Sequence, residues 1–463
     1  MGSKALSETR SGRRLGVSWC TLLLVALAAD LITPFLIWKG ALPAFTRWVS
    51  HAAVAVAMIG AYVRMMVFDR VPRAVWLIVW LSATGIVVAV LRGQGIAATI
   101  WGWWIMFQFP LAAVFVYLQW DWPRSPAQGL RLVCTAILAA EVIIQIGQYL
   151  TGEPPGDNLA GTFGYHGVAK LMLFTVFVLC LALGQWLADG RWKNLVLVLA
   201  LGGVSSVLSA LKLFPFAVFV LAMVALGLYA LRHGQPVKMA CYALLIVAVV
   251  GIFFRLYNAV VPPVQGARPL ESYLDAGTLS EYFGGLTPAS GSGRYSERYF
   301  LGRNYAVSYG WEAIQRDPST LLFGMGLGAR GESRTLGTAG VGLLEGGLGL
   351  TTGTTLLVMM QELGLVGMAI LGGFALWTVV TLFAEIRRNP LSGATELRYA
   401  LLLFSLLWPL WLWYTSMWLF RVPMLLYWGA LGYVLVEPQL EKVDAEGARV
   451  AGTSDHRHAG SAP

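Results

Sequence analysis

Charge is scarce in this chain. Asp, Glu, Lys and Arg supply only 12% of its 463 residues, while hydrophobic types supply 57%, a balance that fits no soluble globular class. Cysteine and histidine are scarcer still. The four cysteines, Cys20, Cys134, Cys180 and Cys241, lie in or beside apolar runs, where thiols act as packing groups, so no disulfide framework is expected. No Cys, His or Asp spacing forms a metal site, and neither a metal nor any other cofactor is expected. Lysine is missing altogether from one polar stretch, 262–350, which holds seven Arg instead. A guanidinium offers a fixed fork of donors that matches phosphate or carboxylate oxygens in pairs, whereas an ammonium is a hydrated point charge. Solubility alone would not need that choice.

What fills the rest is apolar sequence. A bilayer core about 30 Å thick takes roughly 20 apolar residues per helix, and such runs lie near 16–38, 49–68, 74–91, 95–118, 128–150, 167–187, 194–211, 213–232, 238–260, 360–384, 398–417 and 419–437. The expected fold class is an all-α polytopic membrane protein of about twelve transmembrane helices, with a large loop between spans nine and ten. The chain divides into an N-terminal segment 1–15, spans one to nine within 16–260, the loop with short helices at 261–350, spans ten to twelve within 351–437, and a disordered tail at 438–463. The first apolar run follows Lys4, Arg10, Arg13 and Arg14 but is too long for a signal peptide and ends without a small-residue cleavage site, so it reads as a span.

The net charge of +9 is spread over short connections rather than gathered in a tract, which argues against nucleic acid. With a cytoplasmic N-terminus, the inner segments carry eighteen Lys and Arg, and the short outer connections only Lys39, Arg47, Arg92 and Lys212. Positive residues favour the inner side, so the loop is expected outside, in the periplasm of a bacterial inner membrane protein. Without nucleotides there, chemistry must use an activated donor carried through the membrane.

Ionisable groups within apolar runs are costly and invite a functional reading. Lys170 and Arg255, near outer ends, read as snorkelling cations. Asp30 and Glu141 are deeper and divide between a structural polar contact and a substrate or proton role. Lys212 sits at the outer tip of a hairpin. Ser209 and Lys212 spell S-x-x-K, but no companion motif accompanies them. In the loop, 295–315 is expected to be a helix with Arg294, Arg298 and Arg303 on neighbouring turns. Gly324-Met-Gly-Leu-Gly-Ala-Arg-Gly331 lacks a preceding strand, so it is no dinucleotide fingerprint; it divides evenly between a plain loop and a flexible or tight turn that positions Arg330 or lets a substrate approach closely. His166, Glu345 and Glu362 are the candidate catalytic groups, with several other outer acids competing. Tryptophans 101–104 and 408–418 read as interfacial belts.

These features together resemble a known superfamily. Gly161-Thr-Phe-Gly164, Gly293-Arg294, Leu322-Phe-Gly-Met-Gly-Leu-Gly328 and Gln361-Glu-Leu-Gly-Leu-Val-Gly367, in this order around a long outer loop, resemble the O-antigen ligases and Wzy-type polysaccharide polymerases. The resemblance implies a metal-independent inverting glycosyltransferase, similar to the GT-C class, that takes its glycan from undecaprenyl pyrophosphate. It implies that Lys212, at the position of a basic hairpin-tip residue, and Arg294, with Arg298 next and Arg303 and Arg330 after it, bind the pyrophosphate. Ligases of the superfamily carry a His-Asn pair shortly before the Glu-x-Gly of span ten, where this chain has Gly353-Thr354-Thr355. The expectation is therefore a polymerase of lipid-linked repeat units working in membrane lipid, with a flippase and a chain-length regulator as partners. A ligase or oligosaccharyltransferase using the same donor, and a lipid-linked glycan transporter or flippase, are the alternatives.

Overall fold

The computed structural model describes residues 19–67, 73–118, 126–164, 167–233, 236–260, 277, 286–288, 299–301, 303–333, 338–342, 354–389 and 394–435. Apolar sequence folds as helix because a helix satisfies its backbone donors and acceptors internally. Among the described residues nine helices come first: α1 Trp19–Trp38, α2 Trp48–Val67, α3 Arg73–Leu91, α4 Ile96–Leu118, α5 Pro126–Leu150, α6 Val168–Asp189, α7 Lys193–Leu208, α8 Phe214–His233 and α9 Pro236–Val260, with 3-10 turns at Ala44–Arg47 and Gly161–Phe163. The polar stretch contributes β1 Leu286–Pro288, β2 Tyr299–Leu301, α10 Arg303–Ile314, α11 Pro318–Phe323, β3 Glu332–Ser333 and β4 Thr338–Ala339. Both strand pairs are antiparallel, with Leu286 opposite Leu301 and Glu332 opposite Ala339. Then follow α12 Thr355–Arg388, α13 Thr395–Leu406, α14 Trp408–Tyr414, a 3-10 turn Met417–Leu419 and α15 at 421–435.

Among the described residues, α4, α5, α6, α8 and α12 are long and apolar enough to cross a membrane, and α13 with α14, bent by 44°, adds a sixth. Shorter apolar segments include Leu24–Trp38 of α1 and the whole of α7. The protein is a helical membrane protein.

Its centre is α6, where every residue from Leu171 to Gln185 is buried. A helix apolar on all sides needs neighbours on all sides, and its main neighbour is α13. They meet where Gly184 lies against the Glu396 carbonyl and Ala400, and Phe177 meets Phe404 edge to face at 5.5 Å. At the same end, Arg131 of α5 is ion-paired with Glu396, so a residue expected only as a topology charge also joins two helices.

Three expectations need correction. The first concerns the belt at Trp408 to Trp418: Trp408, Trp411 and Trp418 are buried. With Trp428 and Phe374 they build an aromatic core, Trp408 and Trp428 being 5.5 Å apart and Phe374 and Trp428 5.6 Å. The chain folds back through the 3-10 turn between α14 and α15, which carries these rings inward. The second is the helix expected over 295–315, which begins only at Arg303. Tyr299-Phe-Leu301 has β-prone residues and pairs with β1 instead. The third is span ten, which runs Thr355–Arg388 but is broken at Gly364, with φ 62° and ψ −167°.

The Gly184 contact generates a test. Gly184→Leu should cost about 1–3 kcal/mol through overpacking against the α13 backbone, read as a lower thermal-aggregation midpoint in detergent. Gly203→Ala, where an added Cβ meets nothing within 4 Å, should leave the midpoint unchanged or raise it.

Candidate functional site

The site is organised by the break at Gly364. A left-handed φ interrupts the α12 hydrogen-bond ladder, and the carbonyls of Gln361 and Glu362 accept instead from Met325 N at 2.7 Å and Gly326 N at 3.1 Å. The donors belong to the glycine-rich turn, where Gly324, Gly326 and Gly328 take φ values of 75°, 89° and 84°. Leu327 N also donates to Gly85 O of α3 at 3.3 Å. Side chains are excluded by proximity: a Cβ at Gly326 would strike Ala89, and one at Gly102 of α4 would strike the Gly328 backbone. The stretch is a docking turn wedged among α3, α4 and α12, and the dinucleotide reading has no place in it.

What the turn positions is Arg330. This arginine is 3% exposed, its backbone N donates to Glu362 Oε1 at 3.1 Å, and its guanidinium lies 5.5 Å over the Tyr309 ring of α10. Nη2 donates to Tyr309 Oη at 3.4 Å, and Tyr309 stacks in turn on Tyr305. The Glu362 carboxylate accepts from the backbone of Gly328 as well as of Arg330. Its oxygens therefore anchor the turn, and the carboxylate borders a small cleft shared with Gly102, Met106, Thr355, Ser416 and Trp418.

Arg303 is held similarly from the other side. Its Nε donates to Tyr414 O at 3.2 Å, with the guanidinium 5.1 Å from the Tyr414 ring. Asn304 accepts from Trp413 Nε1 at 3.2 Å, and Thr355 N donates to Thr415 O at 3.1 Å. The structure thus brings Arg303, Arg330 and Glu362 around the first turns of α12. Lys212 is half-buried in the turn between α7 and α8. Arg294, Arg298, His166 and Glu345 lie outside the described residues.

Near Lys212 the polar groups are structural. Ser209 Oγ donates to Leu159 O at 2.6 Å, and Gln145 of α5 donates to the same carbonyl, also at 2.6 Å, which commits the serine of the S-x-x-K spelling to holding a loop. One turn away, Glu141 accepts from Thr162 N at 2.7 Å and from its hydroxyl. Glu141 is thus a polar contact that fixes Gly161-Thr-Phe-Gly164. Gly161, with φ 60°, leaves room for that carboxylate.

Two residues of interest escape the sequence reading. Asp30 of α1 is paired with Arg421 of α15 at 2.7 Å, and the same guanidinium reaches Ser50 Oγ at 2.7 Å, Gln108 Oε1 and His51 Nδ1. Arg421 carries the signal that singled out Asp30, a charge inside an apolar run; His51 carries none. Lys170 lies within electrostatic reach of Asp30, whereas Arg255 is exposed, as a snorkelling cation would be. Among the described residues no group of three or more His, Cys, Asp or Glu could hold a metal ion. In comparisons with known proteins the chain matches no family model, and no curated protein matches it.

The docking turn yields two tests. Gly364→Ala places a side chain at a left-handed φ and against the Gly324 and Leu322 backbone, at a cost of about 1–3 kcal/mol in strain alone. Trypsin should then cleave at Arg330 faster than in wild type, with exposed Arg316 as internal reference. Asp317 caps α11: Ser319 Oγ and Thr320, through Oγ1 and N, donate to its carboxylate, and Arg92 adds a 3.4 Å contact. These donors, Ser319 first, hold its pKa well below the usual carboxylate range. A depressed pKa gives stability that is complete above the unfolded value of about 3.9 and is lost as pH falls through the folded value. The cap should therefore be equally formed at pH 5 and pH 8 in wild type and weakened at both in Asp317→Ala, read as hydrogen-exchange protection of the Thr320 amide after division by the intrinsic exchange rate at each pH.

Proposed function

We propose that this protein polymerises undecaprenyl-pyrophosphate-linked oligosaccharide repeat units on the periplasmic face of a bacterial inner membrane, with twelve spans and the 261–350 stretch outside. In each cycle an acceptor hydroxyl on one lipid-linked unit attacks the anomeric carbon of the growing glycan with inversion. The new C–O bond forms as the bond to pyrophosphate breaks, the hydroxyl proton passes to a base, and undecaprenyl pyrophosphate leaves. Arginines act on the leaving diphosphate, where developing negative charge is best met by fixed donors. Arg303 and Arg330 belong to this set together with Lys212, Arg294 and Arg298.

The observation that supports this reading most is the docking of 324–331 onto the Gly364 break, because the two motifs that carry the resemblance are distant in sequence and make one unit in space. Two tyrosine-backed arginines flank that unit, as a site for an anionic group requires. Glu362 takes the part of an anchor, since two backbone amides already occupy its carboxylate.

The test is reconstitution of the purified protein with a lipid-linked oligosaccharide, following products by gel. A ladder of longer glycans is expected from wild type, falling at least about tenfold in Arg330→Ala and Arg303→Ala, as removal of a transition-state charge donor does. Transfer only to an added acceptor that is not lipid-linked would replace polymerase by ligase. Transbilayer movement of the donor without any transfer would replace enzyme by transporter.

A further inference from the structure

We propose that the protein carries a sugar-binding subsite formed by Trp48, Trp101 and His51 at the starts of α2 and α4, with Arg421 as the positioning residue that sets which nitrogen of His51 faces the ligand. The subsite deepens the glycan-transfer reading and rests on it.

The first observation is chemical. His51 Nδ1 lies 2.7 Å from Arg421 Nη1 and 2.8 Å from Trp104 Nε1. A guanidinium and an indole N–H can only donate, so the one lone pair of Nδ1 is shared between them and the ring proton sits on Nε2. The imidazole is therefore neutral, and its N–H is directed away from Arg421.

The second is structural cost. Arg421 is itself fixed by Asp30, Ser50 and Gln108, so side chains from α1, α2 and α4 converge on one guanidinium of α15. Packing alone is served as well or better by apolar side chains, because an ion pair within a bundle must offset the desolvation of both charges. What the network achieves beyond packing is a single tautomer and orientation for His51.

The third is the surroundings of that ring. Its centroid is 5.1 Å from Trp48, 5.8 Å from Trp104 and 6.0 Å from Trp101, and Trp48 and Trp101 are 5.7 Å apart. All four rings are half-buried and Arg47 beside them is exposed, its guanidinium 5.9 Å from the Trp48 ring. Aromatic faces with a few convergent donors suit a pyranose, whose C–H face packs on indole while its oxygens accept hydrogen bonds. A phosphate would call for more cations than Arg47 with a neutral histidine. Tryptophans serving only as interfacial anchors would not require a locked imidazole.

The test uses full-length protein in nanodiscs and, as probe, the lipid-free repeat-unit oligosaccharide released by mild acid from the source cell's lipid-linked pool. Calorimetry should show saturable binding that weakens by roughly tenfold in His51→Leu and Trp48→Ala, the scale of losing one good contact in a small site. His51→Gln and Trp48→Phe, which keep an N–H and a ring, should retain most of it and guard against misfolding. Arg421→Gln combined with Trp104→Phe, which removes both donors to Nδ1, should weaken binding and shift the 15N resonances of His51 from the Nε2–H pattern toward a tautomer mixture, and Arg421→Lys with Trp104 intact, which keeps a donor on Nδ1, should restore both. Absence of binding by wild type, or equal binding by all variants, overturns the subsite. Binding with this variant pattern but without glycan transfer from any lipid-linked donor keeps the subsite and sinks the polymerase alone.

Discussion

Two carbonyls freed from a helix and two amides freed from a glycine turn hold the centre of this molecule together. Gly364 opens the α12 ladder, and Met325 and Gly326 close it. A broken helix inside a membrane protein is tolerated only where another part of the protein re-satisfies the backbone, so neither the break nor the turn is stable without the other. The arrangement then propagates. The turn can approach only because Gly326 and Gly328 lack side chains against α3 and α4, and its end sets the backbone amide of Arg330 on Glu362. Arg330 is placed by the main chain first and by Tyr309 second.

Several other polar groups in the bundle tie together segments that are separate in sequence. Arg131 meets Glu396, Arg421 meets Asp30, and Glu141 meets the Thr162 amide and hydroxyl. Removing one member would leave the other unpaired at low dielectric, which costs more than the pair contributes. Such contacts therefore specify which helices are neighbours more than they add stability. Apolar packing of α6 on α13 holds the bundle together.

This division explains what was legible in the sequence. Apolar runs report helices directly: eleven of the twelve hold one and 398–417 holds two, while among the described residues five or six helices are long and apolar enough to cross a membrane; the turn before Arg330 is legible in its glycine spacing. Partners were not readable. Arg421 stands in the same kind of run as Asp30, yet nothing in either run says that α1 and α15 touch. The tryptophans of α14 look alike whether they face a headgroup layer or a core, and only the fold-back through Met417–Leu419 decides for the core. The start of α10 was misplaced because Tyr299-Phe-Leu301 suits both a helix and a strand, and a tertiary partner, β1, settled it.

Glu362 illustrates how geometry changes the meaning of a residue. By type and position it is a candidate base, yet its carboxylate accepts from two backbone amides and so is committed to holding the turn. On the proposed reading this is no obstacle. Displacing a pyrophosphate needs charge stabilised on the leaving group more than a strong base on the nucleophile, since the diphosphate departs as a delocalised anion and its bond breaks early relative to proton loss. On that reading a stretch rich in arginine and free of lysine, two of whose arginines lie against tyrosine rings, has the composition such chemistry favours. On the proposed reading the part of Glu362 is to hold the Arg330 backbone.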